Sequence, residues 1–222
     1  MSKGVSYVSH DIKTPLTSII NYVDLLKSEE INNDKAKEYI EVLDQKSQRL
    51  KKLIEDLVEA SKASSGNIKL NIERINLVEL IKQTTGEFED KFKQRNLIVE
   101  INASNDKIYI NADNRYMYRV IENLYSNIAK YALDNSRVYV DINQNNKKSK
   151  IIIKNISKDK LNITADELMQ RFVRGDKSRT TEGSGLGLSI SKSLTELQNG
   201  IFDITIDGDL FKVSIEFEQT IE

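Results

Sequence analysis

The chain has 222 residues, enough for one large domain or two small ones, and its 39% hydrophobic and 30% charged residues are ordinary for a soluble globular protein. A formal net charge of -1 argues against a polyanion-binding surface, so nucleic acid is not an expected partner. The absence of cysteine excludes disulfides and thiolate metal sites, as in a reducing compartment, and no apolar run approaches the ~20 residues that span a bilayer. A single proline and nine glycines leave few obligate breaks, which favours long regular elements.

A first helix is expected from about Lys3 to Lys27. Val5, Ile12, Ile19 and Leu26 fill the heptad a position, and Val8, Pro15 and Tyr22 fill d. His10, the only histidine, then falls at f, farthest from the seam, so its imidazole should face water. An exposed imidazole beside the carboxylate of Asp11 is a competent nucleophile or base near neutral pH. Thr14 lies one turn along the same face, and Pro15 should bend the helix just past the histidine. Residues 28–34 read as a turn. A second helix follows from Lys35 to about Ala63, with Ala36, Leu43, Leu50 and Leu57 at a, Tyr39, Leu53 and Ala60 at d, and Ile40 and Ile54 at e. At 1.5 Å per residue it would be about 43 Å long. Two such helices make an antiparallel hairpin whose remaining apolar stripe wants a partner. That partner is either the rest of the chain or a second copy forming a four-helix bundle, and a homodimer is the expectation.

The run Ser61 to Asn67 reads as a domain boundary, dividing the chain into 1–64 and 65–222. Beyond it, strands are expected at Ile68–Ile72, Leu97–Ile101, Ile108–Ala112, Val138–Ile142, Ile151–Ile156, Phe202–Ile206 and Phe211–Phe217. Helices are expected from an Asn76 cap through Leu77 to about Arg95, from Asn114 to Ala132 and from Leu186 to Gln198, with a helical turn near Asp166–Phe172. The fold class is therefore α+β: the hairpin, then a sandwich of helices on one side of a mixed sheet.

Two segments carry chemistry. In Asn123-Leu124-Tyr125-Ser126-Asn127-Ile128-Ala129-Lys130-Tyr131, the residues Leu124, Ile128 and Tyr131 already supply a burial stripe, so Asn123 and Asn127 beside it call for a ligand. An asparagine carbonyl is a hard donor suited to Mg²⁺, and Lys130 offers a point charge for phosphate. In Gly183-Ser184-Gly185-Leu186-Gly187, glycines let the backbone approach a phosphate and the following helix contributes its N-terminus. Upstream of it, Arg171, Phe172, Arg174, Lys177 and Arg179 lie on a stretch long enough to be a lid.

The run Ser9-His10-Asp11-Ile12-Lys13-Thr14-Pro15-Leu16 resembles the phospho-acceptor box of bacterial sensor histidine kinases, and the later segments resemble the N, F and G2 boxes of their gyrase-type ATP-binding domain, in family order. The resemblance implies that His10 is phosphorylated from ATP, that Asp11 is the general base and that Thr14 positions water for dephosphorylation of the partner. It implies that Asn127 holds Mg²⁺ with Asn123 beside it, that Lys130 meets phosphate and Tyr131 the nucleoside, and that Phe172 anchors the lid. Arg174 would reach the phosphates, and Gly183, Gly185, Leu186 and Gly187 would wrap the triphosphate. The implied partners are a second copy and a response-regulator receiver domain; the expected docking surface is the exposed helix face just past the bend, with Thr17 at the f position of His10 and Asn21 one turn further along. The implied location is the cytoplasmic side of a bacterial membrane protein whose upstream sensor and membrane segments are missing here. One box departs: where the family has Asp-x-Gly-x-Gly, this chain has Asn155-Ile156-Ser157-Lys158-Asp159. Asn155 keeps an acceptor for the adenine amino group but loses the charge, so restoring the carboxylate with Asn155→Asp is expected to tighten ATP. A degenerate kinase that docks a partner and binds nucleotide weakly is the alternative. An ATP-driven conformational machine without phosphotransfer is disfavoured by the His10 box.

Overall fold

The computed structural model describes residues 16–31, 33–64, 68–145, 147–161, 164–169 and 185–218. Residues 16–28 (α1) and Asp34–Ser64 (α2) form the antiparallel hairpin. The Asn33 carboxamide caps α2 by accepting from the backbone N–H of Lys35 at 3.0 Å and of Ala36 at 3.3 Å. Lys27 then ties the helices together through Asp44 at 2.7 Å and Glu41 at 3.5 Å. The seam between them is not built from the a and d positions. Leu16 and Val23 on α1, and Ile40, Ser47 and Ile54 on α2, are buried, and all five occupy e; Asp56, Ala60 and Ala63 nearer the end of α2 are buried as well. Ile19, Tyr22, Leu26, Tyr39, Leu43, Leu50 and Leu57, from the a and d sets, stay exposed. The hairpin closes on one stripe and leaves a second apolar stripe open.

Past the hairpin, strands Glu73–Asn76 (β1) and Tyr109–Ala112 (β3) pair as a small antiparallel sheet. The main sheet contains Ile98–Ala103 (β2), Arg137–Gln144 (β4), Lys148–Ile156 (β5), Ile201–Asp207 (β6) and Leu210–Glu218 (β7), in the order β2-β4-β5-β7-β6. β2 and β4 are parallel and the other pairs antiparallel, so the sheet is mixed. Alternation along β4, β5 and β7 puts Val138, Val140, Ile142, Ile151, Ile153, Val213 and Ile215 on one buried face. Against that face lie Leu77–Glu87 (α3), Glu89–Lys93 (α4), Asn114–Tyr131 (α5) and Gly187–Leu197 (α7), with the short Ala165–Met169 (α6) touching α7 and β6. Ala60 and Ala63 at the end of α2 join the same core, so the hairpin is packed onto the sandwich at that end.

Two expectations are corrected. Residues 68–72 are not a strand; the ladder begins at Glu73, opposite Ala112. The reason is a distant side chain: the backbone N–H of Asn71 donates to the Asp113 carboxylate at 2.8 Å, which takes it out of strand pairing. The helix expected from Leu77 to Arg95 breaks at Phe88, whose φ of -98° and ψ of 0° leave the helical region. Around the break, the Phe88 and Phe92 rings lie 5.8 and 5.5 Å from Tyr125, both edge-on.

Candidate nucleotide site

The site is organised by α5, and both of its ends are fastened. At the start, Asp113 is the N-cap, accepting from Arg115 N at 3.1 Å and Tyr116 N at 3.4 Å. The backbone N–H of Asp113 in turn donates to the Gln198 side chain at 2.7 Å. At the end, Arg95 donates to the carbonyls of Ala129 at 2.8 Å and Ala132 at 2.6 Å, and pairs with Asp134 at 2.5 Å. A cation on the last carbonyls of a helix both satisfies them and complements the helix dipole. Arg95 was not recognisable as a site-building residue in the sequence, because nothing local links it to a segment more than thirty positions away. Burial of Met117, Val120, Ile121, Leu124, Tyr125 and Ile128 turns one face of α5 to the sheet and fixes which side chains remain on the other.

Of the residues singled out in the sequence, Asn123, Asn127, Lys130 and Tyr131 lie on α5, Asn155 lies at the end of β5, and Gly185, Leu186 and Gly187 lie at the start of α7. Asn123 is buried and its Nδ2 is 3.5 Å from the Gly187 carbonyl. A β-carbon added to Gly187 would lie 3.9 Å from the Asn123 side chain, so the two elements are in contact there. Asn127 and Lys130 continue along α5, half-buried. Gly185 has a φ of 71°, a conformation that favours glycine, which lets the chain turn into α7. Leu186 stands at the N-cap position of α7 with no side-chain cap bond, and the N-terminus of that helix favours an anion.

The other wall is joined to the end of α5 by three links. Leu133 N donates to Ile156 O at 2.8 Å, Lys158 N donates to Tyr131 O at 2.9 Å, and Ala132 bridges Ser157. The Lys158 ammonium stands 5.9 Å from the Tyr131 ring centroid. Asn155, buried on the helix-facing side of β5, donates from Nδ2 to Ile156 O at 3.1 Å. Only the amide nitrogen can face that carbonyl, so the Asn155 oxygen is the atom directed away from it. His10, Asp11, Thr14, Phe172, Arg174 and Gly183 lie outside the described residues. Thr17 and Asn21 lie exposed on α1.

The donor set suits Mg²⁺ bound through few protein ligands. Among the described residues there is no cluster of three or more His, Cys, Asp or Glu able to hold a metal. An ion here would rest on the Asn127 carboxamide oxygen together with phosphate and water oxygens. Among the described residues, no helix is long and apolar enough to cross a membrane.

Comparison with known proteins agrees with this geometry. The His Kinase A (phospho-acceptor) domain family matches residues 1–66, and the histidine kinase-, DNA gyrase B- and HSP90-like ATPase family matches residues 112–220. Sensor protein VanSC of Enterococcus gallinarum is 31% identical over 199 residues, covering 88% of this chain and 55% of that protein. The chain thus spans about half the length of the curated relatives it matches. Full-length ShkA, solved in complex with AMPPNP, superposes with a TM-score of 0.83 at 17% identity, over 97% of this chain and 45% of that one. Histidine kinase ThkA, solved in complex with response regulator protein TrrA, gives a TM-score of 0.64 at 22% identity, over 98% of this chain and 61% of that one. With a phospho-acceptor region leading into an ATPase sandwich in family order, the chain belongs to the histidine kinases.

Proposed function

We propose that the chain is the catalytic core of an ATP-dependent protein-histidine kinase in a two-component system, acting as a homodimer. The observation that carries this reading is the meeting of Asn123 and Gly187, which brings the asparagine stripe of α5 against the N-terminus of α7 in a chain whose first 66 residues match a phospho-acceptor domain. In this reading Asn127 would hold the magnesium, with Asn123 beside it. Lys130, Arg174 and the backbone of Gly183, Gly185, Leu186 and Gly187 hold the triphosphate. Tyr131, Phe172 and Asn155 shape the nucleoside end. Mg²⁺ would supply charge neutralisation between the phosphates.

The His10 imidazole nitrogen attacks the γ-phosphorus, the bond from that phosphorus to the β–γ bridging oxygen breaks, and ADP leaves. Asp11 takes the ring proton as general base. The phosphoryl group then passes to an aspartate on a response-regulator receiver domain docked by α1, with Thr17 and Asn21 in the contact. Thr14 serves the reverse task, placing water to dephosphorylate that partner. The core would operate on the cytoplasmic side of a bacterial membrane, attached to a sensor.

The open apolar stripe of Leu43, Leu50 and Leu57 supports the dimer, since a second hairpin covers it as a four-helix bundle. A second reading, a docking and phosphatase module with weak nucleotide binding, is motivated by Asn155 in place of an aspartate. Incubation with labelled ATP and Mg²⁺ separates the two. The expected label is acid-labile and base-stable and is absent from His10→Ala. Label that persists in His10→Ala, or survives acid, would sink the kinase reading.

A further inference from the structure

Arg119 on α5 joins the hairpin to the sandwich through carboxylates. One terminal nitrogen donates to Asp56 Oδ1 at 2.7 Å and Nε donates to Glu59 Oε2 at 3.1 Å, both on α2. The other terminal nitrogen pairs with Glu122 at 2.6 Å on its own helix. The Arg119 and Asp56 side chains are only 17% and 7% exposed, so these are not screened surface pairs. Burial alone would lower the guanidinium pKa, but its carboxylates outweigh that and raise it, so the cation is permanent.

Packing around this cluster is incomplete. A cleft of about 400 Å³ lies between α2 and α5, lined by Lys52, Glu55, Val58, Lys62 and Tyr116 among others. The nearby apolar anchors from α2 are the small side chains Ala60 and Ala63. At this point one guanidinium joins the two parts through charge, beside that apolar contact. The location matters as much as the strength. Arg119, Asn123 and Asn127 follow one another at four-residue spacing, so they occupy neighbouring positions on one side of α5. Asn123 meets the start of α7, and α7 itself touches α2. The phosphate end of the nucleotide site therefore lies one helical turn from the ion cluster.

We propose that Arg119 is a positioning residue: it latches α5 onto α2 through Asp56 and Glu59 and so fixes the phosphate end of the nucleotide site relative to the helical hairpin. This rests on the kinase reading for its consequence, because orientation of the phosphoryl donor toward a hairpin acceptor governs the rate of transfer and not the affinity for ATP.

The test compares the whole chain with the shape-conserving double variant Asp56→Asn/Glu59→Gln, and with Asp44→Asn as a control that removes a carboxylate within the hairpin. The double variant should lower the autophosphorylation rate at saturating ATP tenfold or more, with the ATP Kd within twofold of the parent. Asp44→Asn should stay within twofold in both. Hydrogen exchange should show lost protection over residues 56–63 and 116–122 in the double variant alone. An unchanged or faster rate overturns the positioning role, and so does a loss confined to ATP affinity. If the parent takes no label, the kinase reading fails, and unchanged exchange over both segments then overturns the latch independently.

Discussion

Asn155 shows how one hydrogen bond reverses an expectation. From the sequence, restoring aspartate should strengthen the acceptor offered to adenine. In the fold, Nδ2 of Asn155 faces the Ile156 carbonyl at 3.1 Å, and that carbonyl also accepts from Leu133. A carboxylate at 155 would set oxygen against oxygen in a buried position, which costs about 1–3 kcal/mol for the lost pairing. Asn155→Asp is therefore expected to lower stability by about that amount and to leave ATP binding unchanged or weaker. Denaturant titration alongside calorimetry with ATP measures both quantities. Tighter ATP binding at unaltered stability would show that the carboxamide is not locked in this way.

At the scale of elements, the joint between α3, α4 and α5 turns on Tyr125. Its hydroxyl shares a hydrogen bond with Thr85 at 2.9 Å, and its ring meets Phe88 and Phe92. Burial pushes the Tyr125 phenol up to about 12, with the Thr85 bond acting slightly against it. Tyr118 is also pushed up to about 12, mainly by its hydrogen bond to Glu87. A raised folded-state pKa contributes stability that is complete below the unfolded value near 10 and lost as pH climbs through about 12. The chain should therefore hold its stability up to about pH 10 and lose it steeply beyond. Tyr125→Phe should cost about 0.5–1.5 kcal/mol near neutrality and show a shallower alkaline decline. Urea titrations at pH 8 and pH 11 make the comparison, and equal alkaline slopes in the two proteins would count against it. The elements themselves were legible wherever one period dominates, as in α2, α5 and the strands from β4 onward. The false strand at 68–72 was not, because it depends on a distant group, the Asp113 carboxylate, and the break at Phe88 was not, because Phe88 and Phe92 keep the four-residue apolar spacing of a continuous helix.

For the whole molecule, the described residues of the hairpin carry two apolar stripes. The e positions Leu16, Val23, Ile40 and Ile54 close the hairpin, and Ile19, Tyr22, Leu26, Tyr39, Leu43, Leu50 and Leu57 of the a and d sets stay exposed, a surface a second copy would cover. Leu50→Lys should therefore shift the protein toward monomer in sedimentation equilibrium while the circular dichroism spectrum stays the same. A parent that is itself monomeric at all concentrations would remove the dimer from the account. Heptad counting put the seam of the hairpin at a and d, whereas the stripe buried within the chain is e; the adjacent positions d and e both carry apolar residues, so the pattern alone did not separate them. The candidate site was legible to the extent that its residues follow one another along α5 or the glycine run. The contact of Asn123 with Gly187, the clasp of Arg95 and the ion cluster at Arg119 join residues far apart in the chain, and only the fold brings them together.

The pairing of β2 with β4 is the one parallel pair among the described strands. Parallel neighbours cannot be joined by a tight hairpin, and the chain between these two includes α5. The helix that carries the asparagines is thus also the crossover that lets the sheet close. The pairing it connects is a contact between distant stretches of chain, of the kind that slows folding. Ligand-facing and sheet-facing positions therefore alternate on a segment on which the assembly of the whole sandwich depends. Genetic variation in α5 is consequently filtered twice, once for folding and once for chemistry, and a sequence drifting away from kinase activity would be free to change at Asn127 well before it could change at Ile121.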